Sequence, residues 1–194
     1  MGLFNRMLLL LGSRNGYDLK GTLMPFGLWM GGRDLRKWIE PEKIPDVGAT
    51  FVEATHRLNL IEAWSYLKAQ QTYISDEVKF HAKEHWQSVE EYQADFRGDC
   101  EDSAIWLLSA LIKHNYAAFG VIGFYGGYWK RRAWLKGKET PYNHVWVMVW
   151  LSGKPWLLET TDKTAMPIRA DVDPQHIPVY SWNRTEVFVH KEKR

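Results

Sequence analysis

The run HVWVMVWL, residues 144–151, constrains the fold more than any other segment. As an extended strand it sets His144, Trp146, Met148 and Trp150 on one face and Val145, Val147, Val149 and Leu151 on the other. Both faces are apolar, so both must be covered by other parts of the chain. Ser152-Gly153-Lys154-Pro155 follows with strong turn chemistry, and a second apolar run extends from Trp156 to Thr161. The two runs predict an antiparallel hairpin. Further strands are expected over Ala118–Tyr125, Ile177–Tyr180 and Thr185–His190.

Helical patterns dominate the region before this one. Residues 100–114 give the clearest helix, with Ala104, Leu107, Leu108, Leu111 and Ile112 at helical spacing. Asp99 serves as its N-cap with Asp102 three residues on, and Asn115 suits a left-handed cap at its end. Phe51 to Tyr73 also reads as helical, through Leu58, Ile61, Trp64, Tyr66 and Leu67. Ser88 and Glu91 match a capping box that opens a short helix. Helices first and antiparallel strands second predict an α+β domain. The boundary is set at residue 50: an irregular N-terminal arm over 1–50, rich in Gly, Pro and Trp, and the domain over 51–194.

Composition narrows the function. The chain has 194 residues, enough for one domain. Its 25 Lys and Arg nearly balance 23 Asp and Glu, so there is no global drive toward nucleic acid and none is expected as a partner. One cysteine excludes an intrachain disulfide and a multi-cysteine zinc site, and gives any thiol chemistry a single address, Cys100. The apolar run Met7–Leu11 is too short to span a bilayer, so no transmembrane segment is expected. No signal-peptide pattern is evident, and the cytoplasm is slightly favoured. The opening segment reads as an arm that packs on the domain or on a protein partner.

Cys100 stands at the start of its helix, where unpaired N–H groups and the dipole lower a thiol pKa. Asp99, Glu101 and Asp102 oppose that effect, and an adjacent imidazolium would help. His144 opens the buried strand. A two-residue turn at Ser152-Gly153 pairs Thr161 with His144 and sets Glu159 diagonally on the same face; a one-step tighter pairing puts Glu159 directly opposite. In either register Glu159 reaches the imidazole, whereas Asp162 points to the other face. The result is a thiol nucleophile, an imidazole base and an orienting carboxylate.

GDCEDSAIWLLSALIKHNYAAFGVIGFY, NHVWVMV and PWLLETT together resemble the transglutaminase-like cysteine peptidase superfamily. YISDEVKFHAKEHWQSVEEYQADFRGDCED is similar to its bacterial transglutaminase-like cysteine proteinases. The resemblance covers roughly residues 58–162. It implies a papain-like core in which the nucleophile helix packs on an antiparallel sheet. It also implies Cys100 as nucleophile, His144 as base and Glu159 as acid, although the family's usual acid is Asp. The oxyanion would be held by the Cys100 backbone N–H and a second donor, Trp86 or Gln93. No cofactor is required, but acids around the cysteine bind calcium in the adhesin-releasing members, and Asp99, Glu101 and Asp102 match those positions.

The expected function is hydrolysis of amide bonds in a protein or peptide through a thioester acyl-enzyme. The alternatives are protein-glutamine acyl transfer, and a noncatalytic assembly protein that keeps the fold. HAKEH places His81 and His85 one helical turn apart, a weak metal pattern. The basic stretch 130–138, with Lys130, Arg131, Arg132, Lys136 and Lys138 around Trp134, is a second candidate partner surface beside the N-terminal arm.

Overall fold

The computed structural model describes Leu19 and residues 21–24, 34–45, 60–126 and 144–191. The basic stretch 130–138, most of the N-terminal arm and the start of the expected 51–73 helix lie outside the described residues. In chain order the elements are β1 (Thr22–Leu23), α1 (Leu60–Gln70), β2 (Thr72–Tyr73), α2 (Asp76–Lys79), α3 (Val89–Asp95), β3 (Arg97–Gly98), α4 (Cys100–Lys113), β4 (Ala118–Tyr125), β5 (His144–Leu151), β6 (Lys154–Leu158), β7 (Ile168–Arg169), β8 (His176–Trp182) and β9 (Val187–Val189). Two short 3₁₀ turns, Leu35–Trp38 and Pro41–Lys43, precede α1. Among the described residues no helix is long and apolar enough to cross a membrane.

The main sheet runs β1-β9-β8-β4-β5-β6-β7, with every neighbouring pair antiparallel. Strand β5 lies inside it, between β4 and β6, and all its residues from Val145 to Trp150 are buried. Val145, Val147 and Val149 pack into the core that holds α4, while Trp146, Met148 and Trp150 form a second core with Phe119, Val121, Leu157 and Phe188. The two apolar faces of the run thus belong to two separate buried clusters.

Helix α4 departs from a simple one-faced pattern: Glu101 through Leu111 are buried without interruption. One side meets the sheet. The other is covered by α1, α3 and the 3₁₀ turns, whose Leu35, Ile39, Ile44, Trp64, Leu67 and Tyr92 join the same core. The polar groups there find partners, as burial requires. Ser109 Oγ accepts the Glu40 N–H at 3.1 Å, and the Trp106 indole donates to Gln93 Oε1 at 3.4 Å. The helix ends as expected on Asn115, at φ 61°. Tyr116 N–H returns to the Leu111 carbonyl at 2.9 Å and Asn115 N–H to that of Ile112 at 3.0 Å, a Schellman closure.

The β5–β6 hairpin turns on Ser152 and Gly153 alone, both with positive φ (49° and 74°). That is the two-residue geometry suited to the twist of paired strands. The pairing Val147↔Leu158 and Leu151↔Lys154 is the first of the two registers read from the sequence. The second strand ends sooner than its apolar run suggests, at Leu158. Beyond it the backbone is drawn toward α1: the Trp64 indole donates to the Glu159 carbonyl at 2.7 Å, and the Gln71 amide donates to that of Thr160. HAKEH is not helical. Helix α2 stops at Lys79, and His81 takes a left-handed conformation at φ 55°, so His81 and His85 share no helical face.

Gly120 and Trp182 pair across β4 and β8, and the buried indole lies over the glycine. A Cβ on residue 120 would stand 2.6–2.9 Å from three indole carbons. Gly120→Ala should therefore cost about 1–3 kcal/mol, measured as a lower urea midpoint with an unchanged m-value.

Candidate functional site

The start of α4 is crowded with carboxylates. Asp102 Oδ2 accepts the Asp99 N–H at 3.2 Å, and so caps the helix from within its first turn. Asp102 is itself held by Gln87, whose backbone N–H donates to Oδ1 at 2.8 Å and whose amide donates to Oδ2 at 2.6 Å. The short parallel pair β2–β3 ties residues 72–73 to 97–98, and Ile74 N–H extends it to the Gly98 carbonyl at 2.9 Å. This pairing carries Asp76 to the helix start. Asp76, Asp99 and Asp102 each bring an oxygen within 4.8 Å of the others, and Asp99, Cys100 and Glu101 form a second such group.

These acids, Asp99 half-buried and the others buried, lie among like charges, which penalises ionisation. Burial, and then the hydrogen bond and charge of Glu101, push the Asp99 carboxyl up to about 10. Burial also raises Glu101 and Asp102, against hydrogen bonds that favour their ionised forms. Among the described residues, one oxygen of Asp76 and one of Asp99 are buried with no hydrogen-bond partner. Cys100 lies among them, half-buried, its thiol donating to Glu101 Oε2 at 3.2 Å. Burial, then the Glu101 and Asp99 charges, push the thiol well above its ordinary value, and a hydrogen bond from the Val145 backbone acts the other way.

Val145 is the residue after His144, so the thiol meets β5 one position from the imidazole. His144 Nε2 bonds Glu159 Oε2 at 2.7 Å, the diagonal contact that the hairpin register predicts. Glu159 Oε1 accepts both the backbone N–H and the hydroxyl of Thr161, each at 2.8 Å. His176, the first residue of β8, adds a second imidazole: its Nε2 lies 3.1 Å from the same Glu159 Oε2, and its Nδ1 lies 2.8 Å from Asp173 Oδ2. Burial works against the Glu159 charge, but the hydrogen bonds to His144 and His176 overcome it and hold the carboxyl far below its ordinary value. Burial likewise opposes the His176 charge, and Asp173 and Glu159 outweigh it, so this imidazole is raised.

The structure thus joins His144 to Glu159 and sets Cys100 beside β5, with the thiol bonded to Glu101. Asp162 is exposed and caps Thr164. The Trp86 indole donates to Glu84 at 3.2 Å, and its ring packs between Trp38 and Trp182. The Gln93 amide donates to the Lys43 carbonyl at 3.2 Å. Asp76, Gln87, Trp64, Asp173 and His176 are contributors that the sequence reading did not single out. Each is brought in by long-range pairing. The signal that could have found His176 is its place as the polar first residue of an apolar strand, the same place that His144 holds in β5.

The shifts fix a pH dependence. Glu159, depressed from 4.5, stabilises the fold above that value and loses the contribution as pH falls through its folded value. His176, raised from 6.5, stabilises fully below that value and loses the contribution as pH rises through its folded value. Asp99, raised from 3.8 to about 10, behaves like His176: its contribution is full only below 3.8 and declines above it. Without added metal ions, the thermal midpoint should peak near pH 5 and fall toward pH 8. Asp99→Asn should flatten the fall. Glu159→Gln should cost about 3 kcal/mol near neutrality, as expected when one partner of a buried ion pair is lost, and should weaken the acid-side decline.

No family model matches the chain, and no curated protein matches its sequence. Solved structures do match. Calcium-bound LapG of Legionella pneumophila superposes with a TM-score of 0.52 at 18% identity, over 72% of this chain and 74% of that one. EGTA-treated LapG gives 0.51 at 21% identity, over 70% and 67%. A third LapG structure gives 0.50 at 18% identity, over 72% and 74%. The likeness is one of fold: a mixed helix and antiparallel-sheet domain of the papain-like, transglutaminase-like type.

Proposed function

We propose that the chain is a cysteine peptidase, with Cys100 as nucleophile, His144 as base and Glu159 as the carboxylate that orients the base. The observation that carries this reading is the 2.7 Å contact between His144 Nε2 and Glu159 Oε2 on the strand whose next residue, Val145, bonds the only thiol of the chain. With the Nε2 proton donated to Glu159, Nδ1 is the nitrogen available to receive the thiol proton. The thiolate then attacks the carbonyl carbon of a peptide amide. The C–N bond breaks as the imidazolium returns its proton to the leaving amine, and water hydrolyses the thioester. The Cys100 backbone N–H, at the helix start, supplies one oxyanion donor. Trp86 is the better of the two side-chain candidates for a second, since Glu84, its present acceptor, is exposed and can release it.

A calcium ion belongs to the same reading. Asp99, Glu101 and Asp102 would hold it, with Asp76 added from the structure. The fit rests on the clustered oxygens of Asp76, Asp99 and Asp102 and on two buried carboxylate oxygens without partners among the described residues, whereas Glu101 joins Asp99 in a second group that includes the Cys100 sulfur. Such an ion would supply positive charge that favours the ionised carboxylates and offsets part of their repulsion of a thiolate at Cys100. LapG is recorded in both calcium-bound and EGTA-treated forms. The thiol, bonded to Glu101, is pushed toward its protonated form by burial and by the acids around it.

Two measurements test this. With calcium present, iodoacetamide should alkylate Cys100 rapidly at neutral pH. His144→Ala should slow the reaction at least about tenfold, given that a positioned base contributes 10²–10⁴-fold. An equal rate in the variant would remove the catalytic pair. Calcium should raise the stability of the wild type, by about 2.7 kcal/mol at a hundredfold excess over Kd, and should leave Asp99→Asn nearly unmoved.

A further inference from the structure

His176 has no part in the three-residue reading, yet it touches the carboxylate on which that reading depends. Glu159 has four acceptor positions and four donors meet them: Thr161 N–H and Oγ at Oε1, and His144 and His176 at Oε2. The other ring nitrogen of His176 lies on Asp173, which also accepts the His176 backbone N–H at 2.8 Å. Asp173 is fixed further by the Gln175 N–H at 3.2 Å. Ionised carboxylates only accept, so a ring that serves one on each side must carry a proton on both nitrogens.

We propose that His176 is a positioning residue for the acid: an imidazolium clamped between Asp173 and Glu159 that keeps Glu159 Oε2 fixed on His144. The proposal rests on the cysteine-peptidase reading for its purpose, though not for its test. Oε2 shared between two imidazoles cannot swing to water without losing two charge-assisted bonds. The ring proton of His144 is thereby kept on Nε2, and the Nδ1 lone pair stays available to a thiol. The charge matters as well as the contact. Glu159 and Asp173 are both buried, and the His176 cation between them prevents two uncompensated anions. The raised proton affinity of His176 agrees with this state.

The groups around the ring come from several elements. Asp173 precedes β8, Glu159 follows β6, His144 opens β5, and Tyr125 of β4 lies against the ring with centroids 4.8 Å apart. Trp146 completes the contact edge-on at 5.0 Å. Lys68 of α1 acts on Glu159 from farther away.

The test uses the full chain with ¹⁵N-labelled histidine rings, observed by NMR. At about pH 7.5, one unit above the ordinary histidine value of about 6.5, His176 should show two ring N–H signals. Asp173→Asn should remove one of them at the same pH. His176→Ala should lose the exchange-protected His144 Nε2–H signal, and His176→Gln, which keeps an N–H able to reach Glu159, should restore it. A single N–H on His176 in the wild type would overturn the proposal. So would a protected His144 signal that survives His176→Ala. If His176→Ala does not fold, the wild-type signals and Asp173→Asn still decide. None of these signals depends on thiol reactivity, so an unreactive Cys100 would remove the peptidase reading and leave the clamp standing.

Discussion

The two-residue turn at Ser152-Gly153 is the constraint on which the site depends. Its positive φ values fix the β5–β6 register, and the register fixes which side chains of the second strand share a face with His144. Side chains alternate along a strand, so a slip of one residue would turn Glu159 to the other face and break the 2.7 Å contact. The hydrophobic pattern enforces the same answer. Val147 and Leu158 pair toward α4, whereas Met148 and Leu157 pair away from it, and a slip would put each at odds with its layer. Turn chemistry and burial agree at this hairpin, which lets a polar pair be placed by apolar residues.

That agreement explains why the hairpin and the helix were legible in the sequence. The I′-type turn, the doubly apolar strand, the capping residues of α3 and α4 and the left-handed Asn115 are local signals with local causes. The diagonal placement of Glu159 followed from counting across the turn. The rest was not local. Asp76 reaches the helix start through a two-residue parallel pair, and His176 reaches Glu159 through the β4–β8 ladder, whose register shifts between Ile122 and Gly123. Neither spacing is visible along the chain. The all-round burial of α4 also escaped an apolar-face reading, because part of it is produced by the 34–45 segment, whose Leu35, Ile39 and Ile44 carry no periodic pattern.

The two halves of the site have opposite electrostatic character. Around Cys100, buried acids face one another and the thiol, and each disfavours charge on its neighbours. Around Glu159, anions and imidazoles alternate from Asp173 through His176 and Glu159 to His144. The first half holds protons that a cation can displace; the second is satisfied without one. Under the cysteine-peptidase proposal, such an arrangement would keep the base prepared while the acids oppose a thiolate at Cys100.

The β2–β3 pair has a further consequence. It closes the chain between Tyr73 and Arg97 into a loop held at its neck by a few backbone hydrogen bonds, Thr72 to Phe96 and Ile74 to Gly98 among them. Asp76 lies just inside that neck and Asp99 just beyond it, so an ion bound to both would bridge the two ends. Such a bridge would favour the folded chain, because the ion binds it and not the unfolded one. With its one cysteine at the helix start, the chain has no second thiol for such a bridge. A metal ion would act here as a removable staple, tying the order of the excursion that carries α2 and α3 to the ionic composition of the surroundings.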